Sequence, residues 1–385
     1  MKIILLFLSV FLSATLFGQN VYIPDANFKA CLVGNSEINA NGDTEIQVSE
    51  ASVFNGAIDC WLQNISDLTG IEAFTALTDL NCRQNQLTSL DVSQNTALTV
   101  LLCGSNQLTN LDVSENIALE DLNCGSNQLT SLDLSQNTVL ESFVCSGNQF
   151  TSLDVSQHTD LTVLGCANNQ LSSLDVSQNT ALEYLGCGGN QLISLDVSQN
   201  TALESLSCGL NQLTSLDVSE NIALELLYCY NTQLTSLDLS QNTALEVLYC
   251  HESQLTSLDL SQNNALERLW CYENQLTCLN LANGNNINFI GLQFRAYDNP
   301  NLNCIEVDDY AWSTANWTAV DSQVSFSKDC NNDCSNISSL NELTTSKNLI
   351  KILDLMGRET SFKPNTPLIY VYDDGSTEKV FSVEY

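Results

Sequence analysis

The sequence predicts a β-rich solenoid of about ten 21-residue coils with parallel sheets, and three observations carry that prediction. A cysteine stands at 82, 103, 124, 145, 166, 187, 208, 229, 250 and 271, with no insertion in the series. Each unit holds two similar halves: Leu87, Leu90 and Val92 before Asn95, then Leu98, Leu101 and Cys103 before Asn106. Their period-2 alternation predicts one short half-buried strand per half-turn, hence two parallel sheets along the array. No proline lies between Pro24 and Pro300, as an unbroken ladder of backbone donors requires. A coil of this kind buries its apolar side only against its neighbours, so the array is expected to be an elongated rod.

Residues 1–19 read as a secretory signal peptide, with Lys2 as the charged start and residues 3–17 as the apolar run. An exported chain is free to form disulfides. Residues 20–75 leave the repeat and are expected to cap the open N-terminal end, which otherwise exposes apolar side chains and strand edges. Within them Asn39, Asn41, Asp43, Glu45, Ile46 and Glu50 fall at positions 1, 3, 5, 7, 8 and 12 of an EF-hand-like calcium loop. Asn leads where Asp is usual and Thr44 stands where Gly is usual. Two readings stay open: a calcium site closed by Glu50, and a polar turn before a helix at 48–54.

The solenoid proper is expected over residues 76–283. Asp91, Asp112, Asp133, Asp154, Asp175, Asp196, Asp217, Asp238 and Asp259 form one column, and Glu120, Glu141, Glu183, Glu204, Glu225, Glu246 and Glu267 form another. Like charges stacked about 5 Å apart repel by roughly 1 kcal/mol even in water, so these columns either face solvent or share calcium. The ten column cysteines alternate with leucine and are expected to be buried thiols acting as small hydrophobes. Their parallel directions disfavour disulfides, and a single row of sulfurs cannot ligate a metal tetrahedrally. The six remaining cysteines, Cys31, Cys60, Cys278, Cys304, Cys330 and Cys334, are disulfide candidates, with Cys304 and Cys330 the first choice.

Residues flanking each column cysteine point out of the strand. They are small at Gly165/Ala167, Gly186/Gly188 and Ser207/Gly209, then change to Tyr228/Tyr230, Tyr249/His251 and Trp270/Tyr272. Six rings on a rigid sheet are a candidate ligand-binding patch for a protein or a glycan, with Glu252 and Glu273 at its rim. The opposing reading is that the C-terminal cap covers the rings, or that they stack only to stabilise the sheet.

Residues 284–334 lose the period and are expected to cap the C-terminal end, with Trp312 and Trp317 over the last coil. A linker, 335–345, precedes residues 346–385, whose alternating runs at 349–360 and 368–384 and Asp374-Gly375-Ser376 turn predict a small antiparallel sheet.

The motif Leu-x-x-Leu-x-Cys-x-x-Asn-x-Leu at 98–108 resembles the leucine-rich repeat family, and residues 64–80 resemble the first coil of internalin-type repeat proteins. That resemblance implies a solenoid used for binding, most often of proteins, and no catalysis. Residues 298–330 resemble the capping segment of secreted repeat proteins of Bacteroidota. Asp354, Gly357, Arg358, Asp374, Gly375 and Lys379 resemble the type A sorting domain of the type IX secretion system. This last resemblance implies engagement of the type IX machinery, passage through the outer membrane, and release or anchoring at the cell surface.

The formal charge is −34, and no Lys or Arg occurs from Gln84 to Glu267. Such a surface repels phosphate backbones and anionic headgroups, which excludes nucleic acid and membrane-surface partners. No later run has the length and apolarity of a membrane span. The two histidines, His158 and His251, come with no nucleophile at meaningful spacing, and no glycine-rich phosphate loop occurs. The expectation is therefore a secreted or surface binding protein acting in adhesion, with no cofactor indicated other than calcium. The alternatives are a structural spacer without a specific ligand and, last, a hydrolase.

Overall fold

A computed structural model of the chain describes residues 18–289, 293–331, 334, 349–353, 358, 368–372 and 377–380. The signal reading at 1–17 and the sorting-motif residues Asp354, Gly357, Asp374 and Gly375 lie outside the described residues. The chain forms two compact units, Met1–Cys334 and Ser335–Tyr385. The second contains an antiparallel sheet of Leu349–Leu353, Leu368–Tyr372 and Thr377–Val380.

The first unit is a solenoid. Among the described residues its main sheet has twelve parallel strands, from Ala57–Asp59 to Phe294–Arg295, each paired in register with the next coil. Alternation dictates what enters the core: Leu101, Leu122, Phe143, Leu164 and Leu185 are fully buried, and so are all ten column cysteines. These thiols are unpaired, and burial pushes Cys103 and Cys166 up to about 12. They are small hydrophobes, since a reactive thiol needs exposure and a lowered pKa.

Polar side chains stitch the turns. Asn106 donates from Nδ2 to the carbonyls of Cys82 and Cys103, both at 3.0 Å, and its Oδ1 accepts from Leu87 N at 3.0 Å. Asn190 does the same with Cys166, Cys187 and Leu171. A second asparagine column serves the opposite corner: Asn116 Nδ2 donates to Val92 O at 3.0 Å and Asn95 O at 2.9 Å. His158 occupies this column, with Nε2 3.3 Å from Leu134 O. Each coil leaves its strand through one left-handed residue, which is Gly147 or Gly189 in two coils but Leu210, Glu252 and Glu273 in others. A side chain there costs on the order of 1 kcal/mol, which the surrounding ladder must offset.

The expectation of a second sheet along the whole array is corrected. That sheet contains only Ser257–Asp259, Cys278–Leu281, Cys304–Val307 and Ser325–Ser327. Upstream, this half-turn joins its neighbour through single bonds such as Gln191 N to Leu171 O at 2.8 Å. Two disulfides, Cys278–Cys334 and Cys304–Cys330, tie strands of the second sheet to the cap, and there the coils close enough for a continuous ladder. The matching leucine follows suit, from partly exposed at Leu90 and Leu132 to sealed at Leu258.

Both ends of the solenoid carry helices. The helix Ala26–Val33 is N-capped by Asp25, and Cys31–Cys60 bonds it to the first coil. At the other end Asp309 caps Tyr310–Asn316. Trp317 lies stacked on Phe294 at 4.3 Å and edge-on to Phe289 and Trp312, filling the core end. Among the described residues no helix is long and apolar enough to cross a membrane.

Candidate functional site

The site is built on the outward side of the main sheet, where Leu226–Tyr228, Val247–Tyr249, Arg268–Trp270 and Phe294–Arg295 pair side by side. In-register pairing brings side chains at equal positions about 5 Å apart, so rings in one column have to stack. Tyr228 and Tyr249 lie 5.0 Å apart, and Tyr249 and Trp270 stack at 4.2 Å with planes 9° apart. The column beyond the cysteines stacks Tyr230 on His251 at 4.8 Å, His251 on Tyr272 at 4.4 Å and Tyr272 on Tyr297 at 4.8 Å. All six sequence-derived residues therefore lie in one patch. His251 is nearly sealed between its two tyrosines, and the other five are half-buried.

Three members escape a reading based on the fixed period. The coil after Cys271 is longer: Trp270 pairs with Arg295, 25 residues on, so Arg295 and Tyr297 fall out of the 21-residue register. The signal that finds them is Asn299, whose Nδ2 donates to Cys271 O and Ala296 O as a ladder asparagine does. Arg295 lies over the Trp270 ring at 4.3 Å. Arg268 stands one outward position before Trp270, and its Nη1 donates to Tyr249 Oη at 3.2 Å.

The stacking changes what the patch offers. The faces of Tyr249, Trp270, His251 and Tyr272 are covered by other rings or by Arg295, and Tyr230 lies between His251 and the position of Gly209, while Tyr228 is tilted 55° to Tyr249. Edges, hydroxyls and guanidinium groups remain outward. Burial lowers the pKa of His251 against the opposing pull of Glu252, whose Oε1 is 3.9 Å from Nε2. An imidazole held below its usual range is neutral at pH 7. Burial raises the phenols of Tyr228 and Tyr272. The C-terminal Trp317 packs inward against Phe289 and Phe294.

The residues read as a calcium loop are committed elsewhere. Glu45 pairs with Lys29 at 2.6 Å, and Glu50 accepts from Gln47 N at 3.0 Å and Asn41 N at 3.2 Å, capping the helix Val48–Ala51. Asn39 donates to Val33 O and Asp43 O, and Asp43 Oδ1 accepts from Glu45 N at 2.7 Å. Ile46 is buried in the cap core. No three acidic, histidine or cysteine side chains gather into a metal-sized group among the described residues, while Asn39 Oδ1 is buried without a hydrogen-bond partner. In the outer aspartate column, the backbone N–H of Ser198 and then its hydroxyl lower Asp196, which stays ionised in solvent.

No protein-family model matches the chain. Over 76 residues, 20% of the chain, it is 40% identical to internalin J of Listeria monocytogenes serotype 4b (strain F2365), a stretch that is 8% of that protein. Among solved structures it is similar to the functional domain of InlJ from Listeria monocytogenes, described as including a cysteine ladder. That match has 37% identity and a TM-score of 0.65, covering 75% of this chain and 67% of that one. A leucine-rich repeat protein of Leptospira interrogans matches with 25% identity and a TM-score of 0.53, over 67% of this chain and 64% of that one. A TDR receptor shares the fold, with 19% identity and a TM-score of 0.54, over 68% and 52% of the two chains.

Proposed function

The chain belongs to the internalin-like leucine-rich repeat proteins, and from that premise we propose that it is a non-enzymatic, exported binding protein that recognises a protein partner through the ringed end of its main sheet. The observation that carries this reading is the pair of ring ladders, Tyr228-Tyr249-Trp270 and Tyr230-His251-Tyr272-Tyr297, on the outer side of a sheet whose preceding coils carry no stacked rings. Aromatic side chains fixed by their neighbours lose little entropy on binding, which is why rings and arginine dominate protein hot spots. A sugar-stacking platform needs a free ring face, and here most faces are turned on one another, so the geometry favours a protein over a glycan.

Export through the type IX system, with surface display or release, is part of the same proposal; the sorting resemblance and the three disulfides support it. Its check is whether deletion of residues 346–385 retains the protein inside the cell. For the patch, the full chain is screened against arrayed proteins and glycans beside the variant carrying Tyr249→Ala and Trp270→Ala. Protein capture that falls about a hundredfold in the variant, at unchanged circular dichroism, supports the reading. Capture that survives the double substitution sinks it, and an array without capture favours the spacer.

A further inference from the structure

In a chain with 45 acidic and 11 basic side chains, a guanidinium ordinarily finds a carboxylate of its own. Arg268 and Arg295 do not. Among the described residues the ion pair within 4.0 Å is Lys29–Glu45, and the neutral His251 lies 3.9 Å from Glu252. Both arginines are instead held by the ring ladder, Arg268 through the Tyr249 hydroxyl and Arg295 across the Trp270 indole. Because Trp270 pairs with Arg295, Arg268 sits diagonally from Arg295, one coil back and two residues along. Strand rise and strand spacing put such positions about 8 Å apart, within which two long guanidinium side chains can close on one anion. Planar forks of this kind match a carboxylate in bidentate fashion.

We propose that Arg268 and Arg295 form a carboxylate-binding fork, and that the partner is a protein that inserts an Asp or Glu side chain between them. This deepens the binding reading and rests on it. The sequence stretch from 84 to 267 has no other cation to offer an acidic group, so the fork sets both the place and the orientation of the partner on the sheet.

The full chain is tested on immobilised short peptides that share a Tyr and Leu background and differ only in carrying Asp/Glu, Asn/Gln or Lys/Arg. Sulfated dextran is a parallel arm. Retention of acidic peptides about tenfold above their amide counterparts is expected. Arg268→Gln combined with Arg295→Gln equalises the two sets at unchanged melting temperature, and Lys328→Gln, an exposed cation in the cap, leaves the preference intact. The fork is overturned if the double arginine variant keeps the preference, if basic peptides are favoured, if no peptide is retained, or if sulfated dextran binds in place of the acidic peptides. Should the tyrosine and tryptophan variant lose protein capture while the arginine variant keeps its acid preference, the patch stands and the fork falls.

Discussion

From Leu102/Gly104 to Ser207/Gly209 the two columns flanking the cysteines carry nothing larger than leucine or asparagine, whereas from Tyr228/Tyr230 to Arg295/Tyr297 they carry rings and a guanidinium. Both stretches rest on the same buried seam of leucine and cysteine. They differ beneath the surface too. The smooth coils keep an asparagine at every turn, each making bonds to two carbonyls and one N–H, as Asn190 does. In the first two ringed coils Thr232 and Ser253 take that place, and Thr232 Oγ1 reaches only Cys229 O and Ser253 Oγ, while Asn274 and Asn299 keep the ladder in the last two. Cross-strand stacking thus accompanies the loss of part of the turn ladder at Thr232 and Ser253. The inward pattern sets the fold and the outward pattern is free to vary, so one solenoid can hold a scaffold and a site side by side.

Alkali removes what the two stretches share, and its effect is the largest expected. An unfolded thiol ionises near 9, while burial keeps Cys103 and Cys166 protonated up to about 12 and raises the other column thiols as well. The unfolded chain then binds fewer protons. The contribution of the thiols is complete below pH 9 and is lost at about 1.4 kcal/mol per thiol per pH unit above it. Melting followed by circular dichroism under reducing conditions is expected to collapse steeply above pH 9 with both stretches lost together; a flat profile contradicts the dry seam.

Asn190→Ala strikes the smooth stretch alone. It leaves Leu171 N and the carbonyls of Cys166 and Cys187 without their buried partner, a loss of about 3 kcal/mol in urea unfolding. A loss below about 0.5 kcal/mol would mean that the ladder is dispensable. The reverse experiment restores the ladder in the ringed stretch. Thr232→Asn with Ser253→Asn is expected to raise stability by about 1 to 2 kcal/mol, with partner capture unchanged. If capture falls instead, the ring geometry depends on the shorter side chains.

The smallest effect is at His251. Its folded pKa lies below the unfolded value, so the unfolded chain takes up more protons as pH drops below about 6.5. Stability present at pH 7 is then lost as pH falls toward the folded value. His251→Gln is expected to flatten the melting temperature between pH 7 and about 5; an unaltered slope assigns the acid response elsewhere.

Much of the scaffold was legible because every coil repeats the same residues: the core columns, the buried thiols and the two caps follow from a period that never slips before Cys271. Arg295 and Tyr297 were hidden by the longer coil after it, and Arg268 by standing outside the two columns next to the cysteines. The spacing of 39–50 is a different case. Spacing alone does not record that Lys29, from another element, lies 2.6 Å from Glu45, or that a short helix needs Glu50 as its cap.

By itself the sequence determined which side of each coil is dry, since burial follows alternation and the alternation is written out ten times. Only the tertiary structure decided how the outward side chains use that frame: that the rings stack on one another, that Arg268 and Arg295 contact rings and form no ion pair among the described residues, and that the second sheet begins at Ser257. These outcomes depend on distances between neighbouring coils and on the disulfide-tied cap, and no single repeat contains that information.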